Sequence, residues 1–103
     1  MVELLKIAAM DSRQGLKLSG EVDISNAPDL AASISSCMRE AQDIHIDLSD
    51  LEFIDGAGVR VLIQAANRLS KGRRIVLWSA PGFFKRLLDV LKVDETWGLR
   101  LAS

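Results

Sequence analysis

Apolar and polar positions change period several times along the chain, and each change marks an element. Residues 2–9 and 14–19 read as two strands, and Asp11-Ser12-Arg13-Gln14-Gly15 between them supplies turn residues, so an N-terminal hairpin is predicted. Gly20-Glu21-Val22-Asp23-Ile24-Ser25 reads as a polar loop before a helix that Asn26 caps, with Pro28 and Asp29 suited to its first turn. Leu30, Ile34, Cys37 or Met38, and Ala41 then recur at helical spacing. One apolar face over about 27–41 follows, with serines and Arg39/Glu40 opposite it. Ile44, Ile46 and Leu48 alternate with His45 and Asp47, the period of a half-buried strand, which Ser49-Asp50 should end.

Beyond that strand, Leu51, Phe53 and Ile54 are expected to anchor a loop leading to Asp55-Gly56-Ala57-Gly58. Val59, Leu62, Ile63, Ala66 and Leu69 return to helical spacing, and Ser70-Lys71-Gly72 offers a glycine to close the helix. Residues 74–79 read as a strand, Ala80-Pro81-Gly82 starts a third helix through about Leu91, and the tail from Asp94 has room for a short strand or helix. Alternation of this kind calls for an α/β domain, a mixed sheet of 4–5 strands with about four helices on at least one face. At 103 residues the expectation is a single domain, 1–103.

Composition narrows the function. Hydrophobic residues make up 49% of the chain and charged residues 26%, enough apolar surface to order the backbone. Thirteen basic and fourteen acidic residues leave a net charge of −1, so nucleic acid is not an expected partner. The clusters Lys71/Arg73/Arg74 and Lys85/Arg86 read as solvated helix ends and faces. The single cysteine, Cys37, and a start without the pattern of a secretory signal point to the cytoplasm. Apolar runs are too short to cross a bilayer, so any membrane association is expected through a partner rather than by direct insertion.

The most informative segment is the turn at the start of the second helix. A helix N-terminus offers unpaired N–H groups and the positive end of the macrodipole, which favours Asp55 at the cap and, by the same physics, an anion. Together with the strand before it, Ile46-Asp47-Leu48-Ser49, the helix opening Gly58-Val59-Arg60-Val61-Leu62, and Leu18-Ser19-Gly20-Glu21-Val22-Asp23, this turn resembles the STAS family of the anti-sigma factor antagonist type. The resemblance covers nearly the whole chain.

In that family's sporulation and stress-response members a serine or threonine directly after the turn aspartate is phosphorylated by a kinase-type anti-sigma factor, which ends their binding. Here that position is Gly56 and the next is Ala57. Neither has a hydroxyl, so the resemblance implies a binding surface with no phosphorylation at the turn. Ser25, Ser49 and Ser79 lie near the same edge and read as caps or strand ends. The expected partner-binding residues are Glu21, Asp23, Ser25, Asp55, Gly56, Ala57, Gly58, Arg60, Val61 and Gln64, the last three facing outward from the helix.

The remaining candidates yield no chemistry. His45 has no second ligand at metal spacing and no catalytic partner, and Cys37 reads as a small buried hydrophobe. Asp47, Asp50, Glu52 and Asp55 do not match a calcium loop, and no Lys-Ser/Thr pair follows the turn as a phosphate loop requires. Neither a catalytic set, a metal site nor a cofactor is therefore expected, and the chain reads as a non-enzyme. Phe83, Phe84, Leu87, Leu88, Val90 and Leu91 cannot all fit one narrow stripe, which leaves an apolar edge for a partner or for a second copy as a homodimer. The leading expectation is a regulator binding a kinase-type anti-sigma factor. Two alternatives stand beside it: a STAS regulatory subunit of an ABC lipid-transport ATPase, since some such subunits carry a D-T-A-G turn, and a nucleotide or anion sensor at the helix start.

Overall fold

In the computed structural model, residues 4–10, 15–38 and 42–103 are described. Strand β1 (Leu5–Ala9) pairs antiparallel with β2 (Gly15–Val22), the predicted hairpin, whose turn residues 11–14 lie outside the described residues. Then follow helix α1 (Ala27–Ser36), strand β3 (Ile44–Ile54), helix α2 (Gly56–Arg68), strand β4 (Ile75–Trp78) and helix α3 (Gly82–Val90). A 3₁₀ turn (Glu95–Trp97) and strand β5 (Leu99–Ala102) end the chain, so the tail holds both a turn and a strand. The first helix ends at Ser36, short of the expected 41, with Cys37 at its cap and Cys37-Met38 in a turn; residues 39–41 of that expectation, and residues 2–3 of the first strand, lie outside the described residues.

Sheet order equals chain order, β1-β2-β3-β4-β5, with every pair after the hairpin parallel. Parallel neighbours joined by right-handed crossovers that always advance in one direction place their helices on one face. Packing agrees: Leu30 and Ile34 of α1, Leu62 of α2, and Phe84 and Leu88 of α3 share one core with Leu18, Ile46, Leu48, Ile75, Leu77 and Leu99 from the sheet. The opposite face carries His45, as its alternation predicts, and there the Trp78 indole Nε1–H donates to His45 Nδ1 at 2.9 Å.

Two sequence expectations fail, for one physical reason. The segment 20–25 is not all loop, because β2 continues to Val22, and β3 does not stop at Ser49-Asp50 but runs on to Ile54. Residues 47–54 of β3 lie beside only residues 17–22 of β2, so β3 carries two extra residues as bulges. Each bulge inserts one position into the period of two. Burial in β3 therefore falls on Ile44, Ile46 and Leu48 and then on Leu51 and Ile54, a spacing of three that imitates a loop with anchors. Of the three expected anchors, Leu51 and Ile54 are buried while Phe53 is 44% exposed.

Arg73 is not the solvated cation its neighbours suggested. Its Nε donates to the Gln42 carbonyl at 2.8 Å and its Nη1 to that of Met38 at 3.2 Å, clamping both ends of the α1–β3 connection. Nor does Gly72 close α2. Leu69 is already extended where the helix ends, and Gly72 serves the following turn instead, at φ +90°.

Candidate functional site

At the end of β3 the chain turns into α2 through Asp55, which is extended and whose carbonyl accepts the first helical bond from Val59 N–H at 3.1 Å. Its side chain completes the cap: Oδ1 accepts from Ala57 N–H at 2.9 Å and from Gly58 N–H at 3.2 Å. The helix start is thereby occupied by the protein's own carboxylate. A bound anion would have to displace it against like charge, so the anion-sensor expectation loses the open donors it rests on.

The two glycines of the turn have opposite surroundings. A Cβ at Gly58 would sit 2.5 Å from Ile54 Cγ1 and 2.8 Å from Val22 Cγ1, so this position lets α2 press against the ends of β2 and β3. Around Gly56 an added Cβ meets nothing within 4 Å, and the residue is exposed. Gly58 is a packing requirement, whereas Gly56 leaves the surface bare.

The second predicted segment joins the first. Glu21 and Val22 are in register with Phe53 and Ile54, and Asp55 N–H donates to the Val22 carbonyl at 3.2 Å. Just beyond, Asn26 does not cap α1 with its side chain as expected. Its Oδ1 accepts from Asp23 N–H at 3.0 Å and its Nδ2 donates to the Glu21 carbonyl at 2.9 Å, so the amide staples the turn 21–26 shut. Asp23 accepts from the hydroxyl and the backbone N–H of Ser25. Those two bonds, the hydroxyl first, hold its carboxyl below the ordinary 3.8.

At the tip of this stapled turn Ile24 is 78% exposed. It is absent from the expected binding residues, although an isoleucine inside a D-I-S-N turn is itself a signal, because a turn needs no apolar residue there. Of the three outward-facing helix candidates, Arg60 and Gln64 are exposed and continue a stripe from Gly56 at four-residue spacing. Val61 is the exception, half-buried against the core. Its burial widens the helix's apolar stripe beyond the expected Val59, Leu62, Ile63, Ala66 and Leu69.

Alongside that stripe runs a groove of about 350 Å³ lined by Gly56, Val59, Arg60, Ile63, Leu91, Val93 and Trp97. The sequence indicates an apolar edge on the third helix; Phe83 and Leu87 pack on the core, while Val90 and Leu91 are its exposed members, joined by the exposed Trp97 of the 3₁₀ turn. Cys37 is half-buried at the end of α1, its Sγ–H donating to the Ser33 carbonyl. The acidic run is dispersed: Asp47 accepts from Ser49 N–H, Asp50 pairs with Lys17 at 3.1 Å and Asp55 caps α2. Among the described residues no group of three or more potential ligands could hold a metal ion, and no helix is long and apolar enough to cross a membrane.

A five-stranded mixed sheet with three helices on one face and a bare, aspartate-capped helix start beside a rigid turn is the architecture of a STAS domain. The chain belongs to that family: the family described as "Mlab, STAS domain" matches residues 5–101. Among solved structures it is similar to an anti-sigma factor antagonist from Mycobacterium paratuberculosis at 26% identity and a TM-score of 0.75, covering 93% of this chain and 83% of that one. An anti-sigma factor antagonist (STAS) domain protein from Planctomyces limnophilus is 17% identical with a TM-score of 0.72, covering 96% and 88%. The anti-sigma factor antagonist SpoIIAA in its unphosphorylated form is also 17% identical, with a TM-score of 0.66 over 96% and 87%. No curated protein matches the chain by sequence.

Proposed function

We propose that this STAS domain is a regulatory protein-binding module that docks a kinase-type anti-sigma factor and carries no phosphoswitch at its turn. The observation behind this reading is the continuity of two surfaces: the stapled turn bearing Glu21, Asp23, Ile24 and Ser25 is hydrogen-bonded to the start of α2, where Asp55, Gly56, Ala57 and Gly58 lead into Arg60 and Gln64. STAS domains of the anti-sigma antagonist type are non-catalytic regulators, and the likeness at 26% identity supports that role here. Gly56 offers no oxygen to accept a phosphoryl group, so occupancy follows the amounts of the two proteins rather than a kinase cycle.

Binding of purified chain to a kinase-type anti-sigma factor, followed by calorimetry, tests the reading. Ile24→Asp should weaken binding at least about tenfold, as an exposed apolar anchor does, while leaving the melting temperature within a degree or two. Incubation with labelled ATP should leave the wild-type chain unlabelled, whereas Gly56→Ser, which fits the open space, should accept label. Label on the wild-type turn would refute the absence of a switch. A second reading rests on Ala57-Gly58, which match the end of a D-T-A-G turn: a regulatory subunit of an ABC lipid-transport ATPase. Co-purification with an ATPase in place of an anti-sigma factor would favour it.

A further inference from the structure

Strand β5 is paired on one side only among the described residues, and its register with β4 fixes which of its backbone groups are used. Ile75 N–H donates to the Gly98 carbonyl at 3.0 Å and Ser79 N–H to that of Ala102 at 3.1 Å, so residues 98, 100 and 102 turn their backbone groups towards β4. Leu99 and Leu101, between them, turn theirs to the outer side, where no described turn or loop bonds to them. Along this same edge runs a groove of about 380 Å³ between β5 and α3, its apolar part made by Leu88, Val93, Leu99 and Leu101. Leu101 is 40% exposed although it shares a face of the strand with buried Leu99. The rim carries both signs, Lys85 against Asp89, Asp94 and Glu95, with the exposed Lys92 next to Val93, so the groove selects apolar side chains rather than a charge. On the other face of β5, Arg100 is exposed in a row with Val76 and His45, and among the described residues it forms no ion pair.

We infer that this edge takes an extended segment of a protein partner as a further strand, with apolar side chains two residues apart in the groove and an acidic one between them against Arg100. Outward N–H and C=O groups on alternate residues are matched by the backbone of another strand, whereas a helix has already used its own. Residues two apart in the incoming strand lie roughly 7 Å from each other on one face, which is the spacing of Leu99 and Leu101, and the residue between them falls on the face of Arg100. A second copy of this chain is the wrong occupant. Antiparallel self-pairing through Leu99 and Leu101 centres on residue 100 and sets two copies of Arg100 directly opposite, which destabilises a strand pair. A short edge strand bearing a charge also resists indiscriminate pairing, and here the same arginine restricts entry to a strand with the matching carboxylate. Two strands separate β5 from β2, so this surface is distinct from the stapled turn.

The test uses the ¹⁵N-labelled full chain and three synthetic peptides of roughly six residues. One has Val-Glu-Val at its centre, one Val-Lys-Val, and the third is the glutamate peptide with alternate backbone nitrogens methylated. The glutamate peptide should bind saturably and slow amide exchange at Leu99 and Leu101. Exchanging an exposed attraction for a repulsion should weaken the lysine peptide on the order of tenfold. Methylation removes the donors that face β5 and should cost at least about tenfold. Arg100→Glu should reverse the charge preference while leaving the melting temperature within a degree or two. Equal binding of the charged peptides, full affinity of the methylated one, shifts confined to other surfaces, or no binding would overturn the inference. So would concentration-dependent dimerisation that slows exchange at Leu99 and Leu101 without peptide, since a second copy would then hold the edge. Ile24→Asp should leave peptide affinity unchanged; a loss would put the peptide on the stapled turn and overturn its assignment to β5.

Discussion

Replacing Gly58 with alanine and Gly56 with alanine adds the same methyl group to the same helix two residues apart, and the surroundings demand opposite results. At Gly58 the new Cβ would lie 2.5 Å from Ile54 Cγ1 and 2.8 Å from both Ile54 Cδ1 and Val22 Cγ1. Ile54 is 3% exposed and Val22 fully buried, so neither can swing into solvent to make room. Overpacking of this kind costs about 1–3 kcal/mol. Alanine's advantage over glycine in a helix returns roughly 0.5–1 kcal/mol. The net expectation is a loss of up to about 2.5 kcal/mol for Gly58→Ala. Gly56→Ala meets no atom within 4 Å and retains only the favourable part, a gain of up to about 0.5–1 kcal/mol. For a domain of this size each kcal/mol moves the melting temperature by roughly 4 °C or more. Urea unfolding with matched m-values, alongside thermal melts, measures both. Equal stability of the two variants, or Gly58→Ala melting above wild type, would refute the steric account of why α2 begins with glycine.

Three further outcomes follow from the turn regions. Asn26→Ala removes both staples of the 21–26 turn and should cost about 1–2 kcal/mol, with amide exchange accelerating at Asp23 before the core. Because the Asp23 carboxyl is held below 3.8 by Ser25, its bonds contribute fully above that value and are lost as pH falls through the lowered one. The Ser25 amide resonance should thus stay constant from neutral pH down to about 5, move only in the acid range, and lose its titration in Asp23→Asn; a transition near neutrality would contradict this. Ser79 is held at φ +55° in the left-handed region, so Ser79→Gly should raise stability by up to about 1 kcal/mol in chemical denaturation, and a loss of stability would show that its side chain contributes something geometry does not reveal.

The α/β class, the N-terminal hairpin and the approximate positions of α2, β4 and α3 are legible because α2 keeps helical spacing from end to end, β4 is a short continuous apolar run, and Ala80-Pro81-Gly82 marks the start of α3. Where two periods meet, local pattern misleads. The second half of β3 carries its bulges at Leu48-Ser49 and at Glu52, and a strand with bulges has no unbroken period of two to detect. Phe53 imitates an anchor for that reason, yet is 44% exposed. Asn26 looks like a cap in sequence because its competing acceptors and donors at Glu21 and Asp23 lie in the preceding segment, whose fold the local pattern does not define. The candidate surface was nonetheless half visible: Asp55 to Gly58 are a helix start in any reading. What no local pattern supplies is the pairing of β2 with β3, which brings the turn at 21–26 beside it, or the return of Leu91 and Trp97 to the flank of α2.

A sheet whose spatial order equals its chain order has a consequence for how the chain is made. Every strand finds its neighbour in the segment completed just before it, so a polypeptide leaving the ribosome can lay down the hairpin and then add one crossover at a time without waiting for distant partners. Strand β5, Leu99–Ala102, is one of the shortest at four residues and lies at one edge of the described sheet. It closes the assembly rather than nucleating it. Pulse-labelled hydrogen exchange should find Leu18 and Ile46 protected before Arg100 and Ala102, and the reverse order would mean that the sheet grows from its far edge.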